Sequence, residues 1–117
     1  MDSLVTMEGD RVFTDSLIIA KGTGNKHKSV KNLIVRYESE LNSFGKVSFS
    51  KGTLDTRGGQ QETIVYLLNE EQAAFLMTLL RNSPQVVAFK KELVRQFYAM
   101  RRLIMERLNI SSLALLS

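Results

Sequence analysis

At 117 residues, 44% of them apolar and 24% charged, the chain has the make-up of one water-soluble domain, long enough to bury roughly two thirds of its unfolded surface. It holds no cysteine and one histidine, which excludes disulfides, thiolate metal sites, a cysteine nucleophile and any two-histidine metal cage. The net charge of +4 is unevenly spread: eight basic residues face three acids between Lys21 and Arg57, a net +5, so the remainder sits near −1.

The opening MDSLVTMEGD lacks the basic-then-apolar run of a signal peptide. No apolar stretch approaches the roughly 18 residues of a membrane span. The expectation is a cytoplasmic protein with no membrane partner, no metal and no cofactor.

Leu4 to Met7 and Arg11 to Thr14 read as short strands joined through Glu8-Gly9-Asp10, where Gly and Asp tolerate positive φ. Asp15 or Ser16 can cap a short helix over Leu17 to Ala20, and Gly22-Thr23-Gly24 ends it. Thr23 or Asn25 is the cap expected for a second helix running to about Asn42. Val30, Leu33, Ile34, Tyr37 and Leu41 form its apolar stripe, with Lys28, Lys31, Asn32 and Arg36 off that stripe. Two helices across a glycine turn, with a basic outer face, have the outline of a helix-turn-helix.

Phe44 to Ser50 and Thr63 to Leu68 read as antiparallel strands joined by a long, glycine-bearing basic loop, KGTLDTRGGQQE. Asn69 caps a third helix from Gln72 to about Leu80, with Glu70 and Glu71 suiting the helix dipole. Pro84 sits at the first turn of a fourth helix of roughly 25 residues. On it Val86, Phe89, Leu93, Phe97, Met100, Ile104 and Leu108 step by three or four, and Val87, Val94 and Met105 widen the stripe. SLALLS closes the chain as an apolar tail. The architecture expected is α+β: an N-terminal hairpin, a helix-turn-helix-like pair, a wing-like second hairpin and two C-terminal helices. Residues 1–109 would form the domain and 110–117 the tail.

Three stretches in this order resemble the phage regulatory protein Rha family. SLIIA leads through a glycine into a basic HxxV turn-helix, Gly24-Asn25-Lys26-His27-Lys28-Ser29-Val30. FGKVSFS and YLLNEEQAAFLM follow the family's strand, strand and helix, with its junction pattern at Tyr66 to Phe75. VVAFKKELVRQFYAMRR matches its last helix through Ala88, Phe89, Lys90, Phe97 and Met100. The likeness covers about residues 3 to 105. It implies a phage or prophage regulator, similar in style to the KilA-N and BRO-N domains of viral DNA-binding proteins, with a role near gene control or DNA architecture. The family's usual acid in the turn-helix is Lys28 here, and many relatives carry a further C-terminal region.

The site expected is therefore non-catalytic and binds duplex DNA. Lys28, Lys31 and Asn32 would approach base edges; Lys26, His27 and Arg36 would hold phosphates; Lys51 and Arg57 would contact the backbone from the loop. The same cations can be read as a solvated helix face and turn, and His27 as a cap or packing residue. Gly22-x-Gly24 lacks the third glycine and the βαβ setting of a dinucleotide loop. Phe97, Met100, Ile104 and Leu108 are expected as core or as the interface of a homodimer. That helix could alternatively capture a host or phage regulatory protein, as an antirepressor does.

Overall fold

In a computed structural model, residues 3–116 are described along the backbone and residues 3–109 in their side chains. Gly9, at φ +61°, turns Thr6–Glu8 (β1) back onto Arg11–Asp15 (β2), as the Gly-Asp signal implies. Asp15 then changes role. Its carboxylate accepts the Ile18 N–H at 2.9 Å and caps Ser16–Thr23 (α1), which Gly24 closes at φ +74°.

The cap of the next helix departs from expectation. Asn25 Nδ2 donates to Thr23 Oγ1 at 2.9 Å, and Thr23 Oγ1 donates to the Ile19 carbonyl. Those two side chains bond to each other and to α1, so Lys26 occupies the cap of His27–Arg36 (α2) with no side-chain hydrogen bond. The stripe is as expected, with Val30, Ile34 and Leu41 fully buried. It is carried by two helices, however. The backbone leaves helical geometry at Tyr37 (φ −108°, ψ 23°), and Glu38–Asn42 (α3) resumes after it. There the Tyr37 ring meets Phe75 edge-on at 6.4 Å, a contact with a distant element that a helical pattern does not encode.

The expected loop 51–62 is also strand. Ser48–Thr56 (β3) and Gly59–Asn69 (β4) pair without a break from Ser48↔Leu67 to Thr56↔Gly59 around a two-residue turn, Arg57-Gly58. Residues 51–62 are exposed apart from half-buried Gly52, so no alternation of burial announces them; the backbone ladder holds the ribbon. β2 pairs with β4 (Thr14↔Leu68), which joins the two hairpins into one antiparallel sheet ordered β1-β2-β4-β3.

Asn69 ends β4 and caps Glu70–Thr78 (α4) in a reciprocal capping box with Gln72. Ser83 Oγ accepts the Val86 N–H, and Pro84 begins Pro84–Leu116 (α5), 33 residues and about 50 Å long. The core lies where α1, α2 and α4 meet the sheet and the first half of α5: Ile19, Val30, Ile34, Leu41, Leu68, Leu76 and Phe89 are at most 1% exposed. α1 and α5 touch at Gly22, where a Cβ would fall 2.2 Å from the Phe89 ring.

α5 corrects two readings. Phe97, 2% exposed, is core and not interface, while Val87, Val94 and Met105 are 52%, 67% and 57% exposed and do not widen the buried stripe. The helix continues through Leu116; the side chains of the apolar tail, 110–117, lie outside the described residues.

Candidate nucleic-acid interface

Between the first half of α2 and the β3–β4 ribbon lies an open cleft of about 780 Å³. His27, Lys28, Lys31 and Asn32 line it from the helix, Lys51 and Leu54 from β3, and Gln61, Glu62, Thr63, Ile64 and Tyr66 from β4. Five of the eight residues singled out in the sequence therefore share one concavity, although Lys51 lies far along the chain from the others. The remaining three flank it in chain position: Lys26 at the α2 cap, Arg36 in the last turn of α2, and Arg57 in the ribbon turn.

The cations differ in how they are held. Lys31 Nζ donates to Thr63 Oγ1 at 2.9 Å, tying the helix to β4 across the cleft. Lys51 Nζ is 3.3 Å from Glu62 Oε1 in a pair exposed on both sides, which costs little to open. Among the described residues, Lys26, Lys28, Arg36 and Arg57 make no ion pair.

The α2 terminus is electrostatically unusual. α1 starts on an Asp15 cap and α4 on Asn69 with two acids in its first turn. α2 starts with no side-chain cap and no acid, between Lys26 and Lys28. Cations beside the positive end of a helix dipole raise the energy of the unliganded protein, and an anion there lowers it.

Of the two readings of His27, the structure has the packing one. It is 6% exposed, and its Nε2 lies 2.8 Å from Ser16 Oγ, which also accepts the Tyr66 N–H at 3.0 Å. Ser16 Oγ has a second lone pair, so either the hydroxyl donates to Nε2 or Nε2–H donates to the hydroxyl; in both tautomers Nδ1 is a buried atom with no hydrogen-bond partner among the described residues. Burial pushes the His27 pKa down, Lys31 pushes it further, and Asp15 opposes weakly. His27 joins α2 to α1 and β4 from inside and does not reach a phosphate. Nor is the pair a nucleophile: Ser16 is 0% exposed, so no substrate reaches Oγ.

Leu54, Gln61, Glu62, Thr63, Ile64 and Tyr66 were not anticipated as lining residues. Thr63, Ile64 and Tyr66 were recognisable as strand, but their position opposite α2 depends on tertiary register. Val35, 57% exposed one turn beyond Lys31, is a further apolar residue on α2 with no place in the core.

The family model of the phage regulatory protein Rha matches residues 14–102, from the end of β2 to the middle of α5. The chain belongs to the phage regulatory protein Rha family. The matched span includes both walls of the cleft and the α1–α2 turn of this Rha-family protein. Comparison with curated proteins and with solved structures finds no match. Among the described residues no helix is long and apolar enough to cross a membrane.

Proposed function

We propose that this Rha-family regulator binds duplex DNA in the host cytoplasm without catalysing a reaction, using the cleft between α2 and the β3–β4 ribbon. The observation that carries the reading is the convergence of Lys28, Lys31 and Asn32 with Lys51 on one open concavity beside an uncapped helix start. A DNA phosphate at that start would be met by backbone N–H groups and by Lys26 and Lys28. Lys28 and Asn32 would face base edges in the major groove, Arg36 would follow the backbone, and the ribbon would set Arg57 on it or in a minor groove. Lys31 has a different part: bound to Thr63, it fixes the angle between helix and ribbon.

The test is fluorescence anisotropy with labelled duplex for the parent, Lys28→Ala/Lys51→Ala and Lys31→Met. The double variant should lose at least roughly tenfold in affinity with no large loss of thermal stability. Unaltered affinity in the double variant would reduce the basic face to solvation.

The exposed apolar residues Val87, Val94 and Tyr98 on α5 favour a second reading, capture of a repressor or host factor. Under it, Val94→Glu abolishes capture while Lys28→Ala/Lys51→Ala leaves activity intact.

A further inference from the structure

α5 extends beyond the domain it supports. Met100 is the last of its residues packed against the core, and the helix runs on to Leu116. The molecule measures 59 × 31 × 30 Å, and its radius of gyration, 16.1 Å, exceeds the about 13 Å expected of a compact chain this long. In the projecting part Leu103, Met105 and Leu108 are 37%, 57% and 55% exposed, and Ile104 is half-buried. A helical segment of this length is marginal in water without tertiary support, and its apolar side chains gain by being covered.

Two observations identify what covers it. A cleft of about 750 Å³ opens beside the projecting helix; its domain wall is acidic, with Asp10, Glu70 and Glu71, and its α5 wall carries Arg101, Arg102 and Glu106 beside Ile104 and Met105. The segment from Arg101 to Asn109 carries three arginines against one acid, Glu106. One molecule thus holds both halves of a complementary contact, a cationic helix and an acid-lined cleft. The helix is also complementary to itself when two copies run antiparallel about Ile104. Ile104 then faces Ile104 and Met100 faces Leu108, while Arg102 and Glu106, paired at 3.6 Å within the single helix, lie on the side away from this ridge. Met100, Ile104 and Leu108 share one i+4 ridge, the row through which crossing helices interdigitate. Of the cations nearby, Arg101 is already held by Glu70 at 2.8 Å and Arg102 by Glu106 at 3.6 Å, which leaves Arg107 of the second copy for Glu71 and Asp10.

We propose that the distal half of α5 forms a two-fold homodimer contact, two copies crossing antiparallel at Ile104 with each helix laid in the acid-lined cleft of the other. A two-fold contact needs a surface that matches itself, which this segment supplies. Met100, Ile104 and Leu108 make the apolar centre; Phe97 takes no part because it is core.

The absence of cysteine makes the geometry directly testable. On a two-fold axis Ile104→Cys meets its own copy, so oxidation should give a disulfide-linked dimer, whereas Val94→Cys on the outer face should not cross-link. Sedimentation equilibrium should show the parent as a dimer and Ile104→Glu as a monomer whose domain still unfolds cooperatively, its melting temperature no longer dependent on protein concentration. Arg107→Glu should weaken dimerisation by roughly tenfold, and Glu71→Arg in the same chain should restore it. A monomeric parent, a dimeric Ile104→Glu variant, or cross-linking by Val94→Cys in place of Ile104→Cys would overturn the proposal.

Discussion

The buried imidazole of His27 is a structural residue beside the proposed DNA-binding surface. It sits at the start of α2, between two lysines in sequence, yet its ring points inward to Ser16 while theirs stay in water. Its folded pKa lies below the ordinary 6.5, so the unfolded chain binds the proton first as pH falls. The stabilising contribution is complete above pH 6.5 and disappears as pH drops through the folded value. Urea unfolding should therefore weaken below pH 6.5, and His27→Gln should remove that part of the pH dependence. Lys28 is the opposite case, costly to the fold and assigned to DNA under the proposed function. Lys28→Glu should raise stability by about 0.3–1 kcal/mol through the helix dipole while abolishing duplex affinity, so thermal melting and anisotropy should move in opposite directions. Gly22 is fixed by packing. Gly22→Ala places a methyl inside the Phe89 ring and should cost about 1–3 kcal/mol, against no loss for Gly58→Ala, which meets nothing within 4 Å.

The elements divide by whether their signals are local. α1 and α4 were legible because their caps, Asp15 and Asn69, precede apolar residues in the pattern that satisfies free N–H groups. Asn69 also donates to the Phe44 carbonyl at 2.8 Å, so Asn69→Ala should cost about 1–2 kcal/mol, readable in chemical denaturation as a lower midpoint at constant m-value. The α2 cap was misassigned because Thr23 and Asn25, good capping residues, are engaged with α1 and with each other. The β3–β4 ribbon was legible only near the core. From Lys51 to Glu62 it leaves the domain, both faces meet solvent, and the period-two alternation that betrays a strand has no buried side to produce it. What remains is a polar, glycine-bearing run that reads as loop.

At the scale of the whole molecule, the sequence defined two hairpins and a basic helix, and tertiary pairing made them a site. The β2–β4 pairing merges the hairpins, and Lys31 with Thr63 sets the ribbon against α2, so Lys51 faces a helix some twenty residues earlier in the chain. None of those distances is encoded locally, which explains why the helix half of the cleft was visible and Thr63, Ile64 and Tyr66 were not. If this cleft grips DNA, the energy comes chiefly from cations that release counterions from phosphates. Among the described residues, Lys26, Lys28, Arg36 and Arg57 are the four flanking or lining cations without an acid or hydroxyl partner.

The most direct measurement is the affinity of the parent protein for random-sequence duplex across a salt series. Four phosphates engaged give a log–log slope of about −3.6, which Lys28→Ala/Arg57→Ala should bring to about −1.8. No saturable binding at low salt, or a slope indifferent to both substitutions, would contradict a DNA-gripping cleft and leave the cations as a solvated face.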